Sequence, residues 1–180
     1  LSIKDGLAQN SAISIAQDST GYLWIATQDG LNKYDGRSFT KYPYIFADVT
    51  RPNYSHLGKV YVDRKGTVWC IPYDKKLHRL NAKANRFEPL EVTSDATIIY
   101  QDRDLNYWVG TYRTGIVLLD SLGRKLPLPS PIAAGSTCYD ILQEGTNMLL
   151  ATDRGVLRVG LASKKALDTL RHTATGQLVT

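Results

Sequence analysis

One pattern recurs four times along this chain, and it leaves room for few folds. The first copy reads Ile13-Ser-Ile-Ala-Gln-Asp18-Ser-Thr-Gly21-Tyr-Leu-Trp24-Ile-Ala-Thr27, followed by Gly30-Leu31 and Tyr34. The second runs Val60-Tyr-Val-Asp63-Arg-Lys-Gly66-Thr-Val-Trp69 and resumes at Leu77-His-Arg-Leu80. The third is Ile98-Ile-Tyr-Gln-Asp102, then Trp108-Val-Gly-Thr111 and Gly115-Ile-Val-Leu-Leu119. The fourth is Ile141-Leu-Gln-Glu144, then Leu149-Leu-Ala-Thr152 and Gly155-Val-Leu-Arg-Val159. The tryptophans lie 45 and 39 residues apart, and Thr111 and Thr152 lie 41 apart. A period near forty fits a four-stranded propeller blade and is too long for leucine-rich, ankyrin or TPR units.

Within each copy the apolar residues alternate, as at Ile13, Ile15, Leu23 and Ile25, the period of a half-buried strand. Asp18-Ser-Thr-Gly21 and Asp63-Arg-Lys-Gly66 have turn chemistry: the Asp bonds nearby backbone and the Gly tolerates a positive φ. Asp18, Asp63 and Asp102 therefore recur for structural reasons. No sustained three-four apolar spacing requires a helix. The expected strands of the first unit are residues 13–17, 22–27, 31–34 and 38–42, with outer strands of the later units at 86–90, 124–126 and 165–170. Trp24, Trp69 and Trp108 share one slot of the second strand and should fill the space between neighbouring blades. Leu149 takes that slot in the fourth unit, which predicts looser packing there.

These residues resemble the two-component regulator propeller repeat, built from an isoleucine-rich strand, Gln-Asp, a Gly turn, Leu-Trp-Ile-Gly-Thr and Gly-Leu. The first copy matches closely, with Ala26 where the family often has Gly, and Lys4-Asp5-Gly6-Leu7 looks like the family's lead-in. Leu105-Asn106 replaces the Gly turn of the third copy, and Cys70-Ile-Pro72 replaces Ile-Gly-Thr in the second. The expected fold is all-β, about four blades of four antiparallel strands, as part of a larger, seven-bladed type of propeller. It is read as a single partial β-propeller domain over 1–180, with blades near 11–43, 57–91, 96–127 and 137–170, and 171–180 leading into a further blade. Both ends of the chain fall at the same phase of the repeat, as in a piece of a longer array. If the chain folds alone, its two open blade faces must be covered, by a homodimer or other self-association or by closure into a four-blade ring.

The resemblance implies a non-enzymatic sensor in the periplasm, part of an inner-membrane hybrid histidine kinase of Bacteroides-type bacteria that detects oligosaccharides or related nutrients. Membrane attachment would come only through parts of the parent protein outside this chain. The blades are also similar to streptogramin-lyase-like propellers, so the alternatives are a lyase or hydrolase and a protein-interaction propeller.

The bulk numbers narrow the function classes. A net charge of +5 from scattered lysines and arginines forms no basic stripe, which argues against nucleic acid as a partner. Eleven tyrosines suit both strands and sugar-binding surfaces. Cys70, beside Trp69, reads as a buried free thiol, and nothing in the spacing asks for a disulfide with Cys138. His56, His78 and His172 lie in different units without metal-ligand spacing, so neither a metal nor another cofactor is expected. No phosphate-cradling loop, nucleophile elbow or His-Glu-x-x-His is present, and no catalytic residue is assigned.

In a propeller, the loops leaving the second strand share a face with the loops joining blades, and that face surrounds the channel where ligands usually bind. The second-strand loops carry Gln28-Asp29, Tyr73-Asp74, Tyr112-Arg113 and Asp153-Arg154. An enlarged connection over 44–56 adds Arg51, Asn53, Tyr54 and His56. Asp29, Arg51, Asn53, Tyr54, His56, Tyr73, Asp74, Tyr112, Arg113, Asp153 and Arg154 are thus the candidate ligand residues, mixing stacking rings with charged hydrogen-bonding groups. Tyr112 and Arg113 lead the set. The copies disagree most at Tyr73, Arg113 and Arg154.

Overall fold

Each of the first three repeats is folded around a turn whose shape its own aspartate sets. Asp18 Oδ1 accepts from the backbone N–H groups of Thr20 and Tyr22, both at 3.0 Å, while Gly21 N donates to Asp18 O at 3.0 Å. Asp63 does the same with Lys65 and Thr67, and Asp102 with Asp104 and Asn106, all at 2.9 Å. Gly21 and Gly66 hold the left-handed position at φ +90° and +79°. In the third turn Leu105 occupies it, at φ +65°, with its N–H still donating to Asp102 O at 3.1 Å. A leucine there is strained, because its Cβ crowds the backbone where glycine has none.

The computed structural model describes residues 1–43, 59–72, 74–93, 95–172 and 178–179. Among these residues, seventeen strands follow a short 3₁₀ turn at Ile3–Asp5. The first sheet is β1 (Ala12–Gln17), β2 (Leu23–Thr27), β3 (Gly30–Tyr34) and β4 (Phe39–Tyr42), and the second β5 (Lys59–Val62), β6 (Val68–Ile71), β7 (Leu77–Asn81) and β8 (Arg86–Leu90). The third is β9 (Ala96–Gln101), β10 (Tyr107–Thr111), β11 (Ile116–Leu119) and β12 (Lys125–Leu126). The fourth is β13 (Cys138–Glu144), β14 (Asn147–Thr152), β15 (Gly155–Gly160), β16 (Ala166–His172) and β17 (Leu178–Val179). All are antiparallel meanders, the four-stranded units the repeat predicted, except that β16 runs past residue 170 and β17 pairs back onto it. The chain falls into two compact units, Leu1–Asp95 and Ala96–Thr180, each holding two sheets.

A second role of the turn aspartate was not anticipated. Its other oxygen accepts from the indole Nε1 six residues on: Trp24 to Asp18 at 2.9 Å, Trp69 to Asp63 at 2.9 Å, and Trp108 to Asp102 at 2.8 Å. The constant six-residue interval was the signal. The clasp satisfies the one polar atom of a side chain that is otherwise sealed, since all three indoles are at most 1% exposed. Burying one contributes roughly 4–6 kcal/mol by area, an upper bound.

In the first unit Trp24 packs with Val60, Val68, Cys70 and Phe87 of the second sheet, filling the space between blades as expected. Phe87 meets its ring edge-on at a centroid distance of 6.0 Å. In the second unit Trp108 packs with Cys138, Ile141, Met148 and Leu150 of the fourth sheet. The fourth blade is sealed on this side by Met148 and Leu150, both fully buried, whereas Leu149 is half-buried.

The turn between third and fourth strands reaches back to the preceding blade in both units. Tyr42 Oη donates to Asn85 Oδ1 at 2.8 Å, and Lys164 Nζ lies 3.5 Å from Asp102 Oδ2 and 5.1 Å above the Trp108 ring. Asn85 and Lys164 are both left-handed, at φ +49° and +53°. Cys70 and Cys138 are free and buried, which pushes both thiols up in pKa, Cys138 to about 12.

Candidate functional site

The end of each sheet opposite the aspartate turn carries a different fastening. Where the second strand ends in threonine, its Oγ1 donates across the loop to a glycine carbonyl. Thr27 reaches Gly30 O at 2.9 Å, Thr111 reaches Gly115 O at 2.6 Å, and Thr152 reaches Gly155 O at 2.7 Å. These staples close the loop with a threonine side chain and a backbone oxygen. The residues between them, Gln28-Asp29, Tyr112-Arg113-Thr114 and Asp153-Arg154, are left to display side chains. Five of the sequence candidates, Asp29, Tyr112, Arg113, Asp153 and Arg154, stand there.

In the first unit Asp29 is exposed, beside Gln28, whose Oε1 accepts from Gln9 Nε2 at 2.9 Å. The second blade has Pro72 in place of the threonine, and its loop closes through Lys75 N to Pro72 O at 3.0 Å, with Lys75 left-handed at φ +58°. Asp74 accepts from Lys76 N at 3.0 Å, and its Oδ2 lies 3.0 Å from His78 Nε2 on β7. Asp74 is therefore engaged in shaping its own loop, a pairing that the sequence reading missed. Arg51, Asn53, Tyr54, His56 and Tyr73 lie outside the described residues.

The second unit brings its candidates together. The connection from β12 to β13 passes over the loop between β10 and β11, bonding Ile116 N to Ile132 O at 3.0 Å and Gly135 N to Arg113 O at 2.9 Å. Gly115 permits that approach, because a Cβ there would stand 2.2 Å from Ile132 O. Gly135 also accepts from Arg154 Nη2 at 3.2 Å, so Arg113 and Arg154 converge on one residue of the connection. Asp153 exchanges bonds with Thr137: Thr137 N donates to Asp153 Oδ1, and Asp153 N to Thr137 O, each at 3.1 Å. The Arg113 guanidinium lies 5.3 Å from the centre of the Tyr112 ring. Arg113 and Ala133 both hold left-handed backbone, at φ +67° and +54°, as does Gly135 at +74°. Unfavourable backbone at two non-glycine residues gathers around one set of exposed charged side chains, a pattern typical of ligand sites. Gly135 and the 129–137 connection were not singled out from sequence, because nothing in the repeat indicates where a linker crosses.

Among the described residues no group of three or more His, Cys, Asp or Glu side chains is placed to hold a metal. No helix there is long and apolar enough to cross a membrane.

Four antiparallel meanders, three with an Asp–Trp clasp at one end and three with a stapled loop at the other, define a β-propeller-type fold. Residues 6–29 match the family model of the two component regulator propeller. A stretch of 38 residues is 58% identical to histidine kinase P4 of Formosa agariphila, covering 21% of this chain and 3% of that protein. Among solved structures, the extracellular domain of the putative hybrid two component system BT3049 from B. thetaiotaomicron is similar, with a TM-score of 0.71 and 24% identity. That likeness covers 99% of this chain and 28% of the other. Virginiamycin B lyase from Staphylococcus aureus also shares the fold, with a TM-score of 0.63 and 16% identity over 87% of this chain and 54% of the lyase. At such identities the shared property is architecture. The chain spans under a third of the BT3049 domain and a small fraction of the kinase.

Proposed function

We propose that this chain is part of the extracytoplasmic recognition propeller of a hybrid two-component receptor, binding an oligosaccharide or related nutrient without transforming it. The observation that carries the reading is the meeting of the Arg113 backbone carbonyl and the Arg154 guanidinium at Gly135, with Tyr112 and Asp153 at the same loops. A half-buried ring, two exposed guanidinium groups and a carboxylate suit the faces and hydroxyls of a sugar. The repeat type and the extracellular receptor domains that share the fold support an outward-facing location. Signalling would follow if the ligand binds one arrangement of paired receptor copies more tightly than another, because only differential affinity shifts an equilibrium.

Thermal-shift screening of the chain against an oligosaccharide panel tests the reading. A glycan that raises the melting temperature, and stops doing so in Arg113→Asn, supports it. A panel with no active glycan, alongside stabilisation by a partner protein, would sink the sugar reading in favour of protein recognition. The fold shared with the lyase makes turnover the second measurement: a glycan consumed during incubation would contradict the non-enzymatic reading.

A further inference from the structure

We propose that the sugar taken by the second unit is acidic, a glycan whose carboxylate is held by Arg113 with Arg154. This rests on the recognition reading above and narrows it to one ligand chemistry. The argument begins with charge. Arg86, Arg124 and Arg158 are matched by Glu88, Asp120 and Asp168. Among the described residues no carboxylate stands within ion-pair distance of Arg113 or Arg154. Both are exposed.

Geometry supplies the second step. Arg154 commits Nη2 to Gly135 O, which fixes the head of the side chain and leaves most of the five guanidinium N–H donors available. Arg113 is held from two directions, by Gly135 N on its carbonyl and by the Tyr112 ring beneath its guanidinium. A guanidinium braced on an aromatic face has lost much of its freedom before a ligand arrives, and its planar fork matches a carboxylate. The carboxylate on these loops, Asp153, has Oδ1 turned to Thr137 N and pairs with neither guanidinium. Its remaining oxygen suits a sugar hydroxyl.

The contrast with the first unit sharpens the assignment. Its corresponding loops carry Asp29 and Asp74, and Asp74 is bonded to His78 and Lys76 N. The second blade's loop adds Lys75 and Lys76, the latter paired with Glu91 at 2.8 Å. The planar fork of arginine stands at the second-strand loops of the second unit alone, and there the ligand's carboxylate should rest.

The test is calorimetry on the whole chain with oligogalacturonides and oligoglucuronides, their methyl esters, and a sulfated oligosaccharide. The esters keep ring and linkage while removing the charge. The expected result is binding of a uronide that weakens roughly 10- to 100-fold on esterification, the range of a charge-assisted hydrogen-bond pair. Affinity should also fall as salt rises. Arg113→Asn should give a comparable loss and Arg113→Lys a smaller one; asparagine is chosen because it accepts left-handed backbone. Unchanged melting of the free variant separates lost contact from lost fold. Equal binding of ester and acid would overturn the acidic-sugar inference while leaving sugar recognition intact. So would binding of the sulfated glycan alone, or of a neutral glycan alone. If no glycan of any class binds, the recognition reading itself fails, and the inference with it.

Discussion

Replacing Asp102 tests whether turn carboxylate and indole form one unit. Asp102 is fully buried; its Oδ2 accepts from Trp108 Nε1 at 2.8 Å, and its Oδ1 from the amides of Asp104 and Asn106 at 2.9 Å. In Asp102→Asn one acceptor becomes an NH2 group. Whichever way the amide turns, donor faces donor, at the indole or at the two turn amides. Asp104 is exposed and Asn106 half-buried, so water can reach those amides, but the Trp108 indole is 0% exposed and cannot be hydrated. Lys164, whose side chain is 17% exposed, also loses its carboxylate. An orphaned buried N–H costs about 1–3 kcal/mol and a bond to a charged acceptor contributes about 1.5–3, which places the loss at about 2–4 kcal/mol. For a unit of about 85 residues, the lower figure already moves the melting temperature by roughly 8–16 °C. Thermal and urea unfolding followed by far-UV circular dichroism measures it, with separate transitions fitted separately. A double-mutant cycle with Trp108→Phe should return a coupling of about 1–2 kcal/mol. Asp120→Asn is the internal control: the same turn amides, Leu122 and Arg124, bond to Asp120 at 2.9 Å with no indole, so its loss should be smaller. A coupling near zero, or equal damage from Asp120→Asn, refutes the clasp as an energetic unit.

Leu105→Gly should stabilise the second unit by about 0.5–1 kcal/mol, because relief of left-handed strain exceeds the added chain entropy; a lower melting temperature would contradict it. Gly110→Ala should destabilise by about 1–3 kcal/mol, since its Cβ would stand 2.6 Å from Ile98 Cγ2 and 2.9 Å from Cys138 Cβ, with partial recovery in Gly110→Ala/Ile98→Ala. Native Cys70 and Cys138 should resist a thiol reagent at pH 8 and react once denatured, because burial keeps both protonated far above that pH; rapid labelling of native protein would show an open thiol. Burial alone would raise the Asp18 carboxyl, but bonds from Thr20, the Trp24 indole and the Tyr22 amide outweigh it and hold it below its ordinary value. Its contribution is therefore full above the unfolded carboxylate value and lost as pH falls through the folded one, so acid unfolding below about pH 4 should flatten in Asp18→Asn.

The blades were legible because their determinants are local. Asp, Gly and Trp act within about ten residues, and alternation reports which face of a strand is covered, so outer strand β8 falls at residues 86–90 as read. What the sequence hid depends on how one sheet lies on the next. Val60 N donating to Ser14 Oγ at 3.2 Å, Thr97 Oγ1 donating to Cys138 O, and the Lys164–Asp102 contact join residues about 40 or more apart with no motif to link them. The site was half legible for the same reason. The loops could be found from their place in the repeat, but the meeting of Arg113 and Arg154 at Gly135 depends on the path of a connection that belongs to no repeat.

The two fastenings explain why a rigid repeat can carry variable chemistry. At one end the Asp–Trp clasp engages the turn's own side chains, and a substitution there disturbs a buried indole. At the other end the staple uses a threonine hydroxyl and a glycine carbonyl, so closing the loop does not draw on the side chains of Asp29, Arg113 or Arg154. The second blade shows the converse. Without the threonine its loop needs Asp74 tied to His78 and to Lys76 N, and that carboxylate is no longer free for a ligand. Display of a side chain toward a ligand is therefore open to a loop only when something other than that side chain holds it shut. The stapled loops of the second unit meet that condition, and Arg113 and Arg154 stand on them.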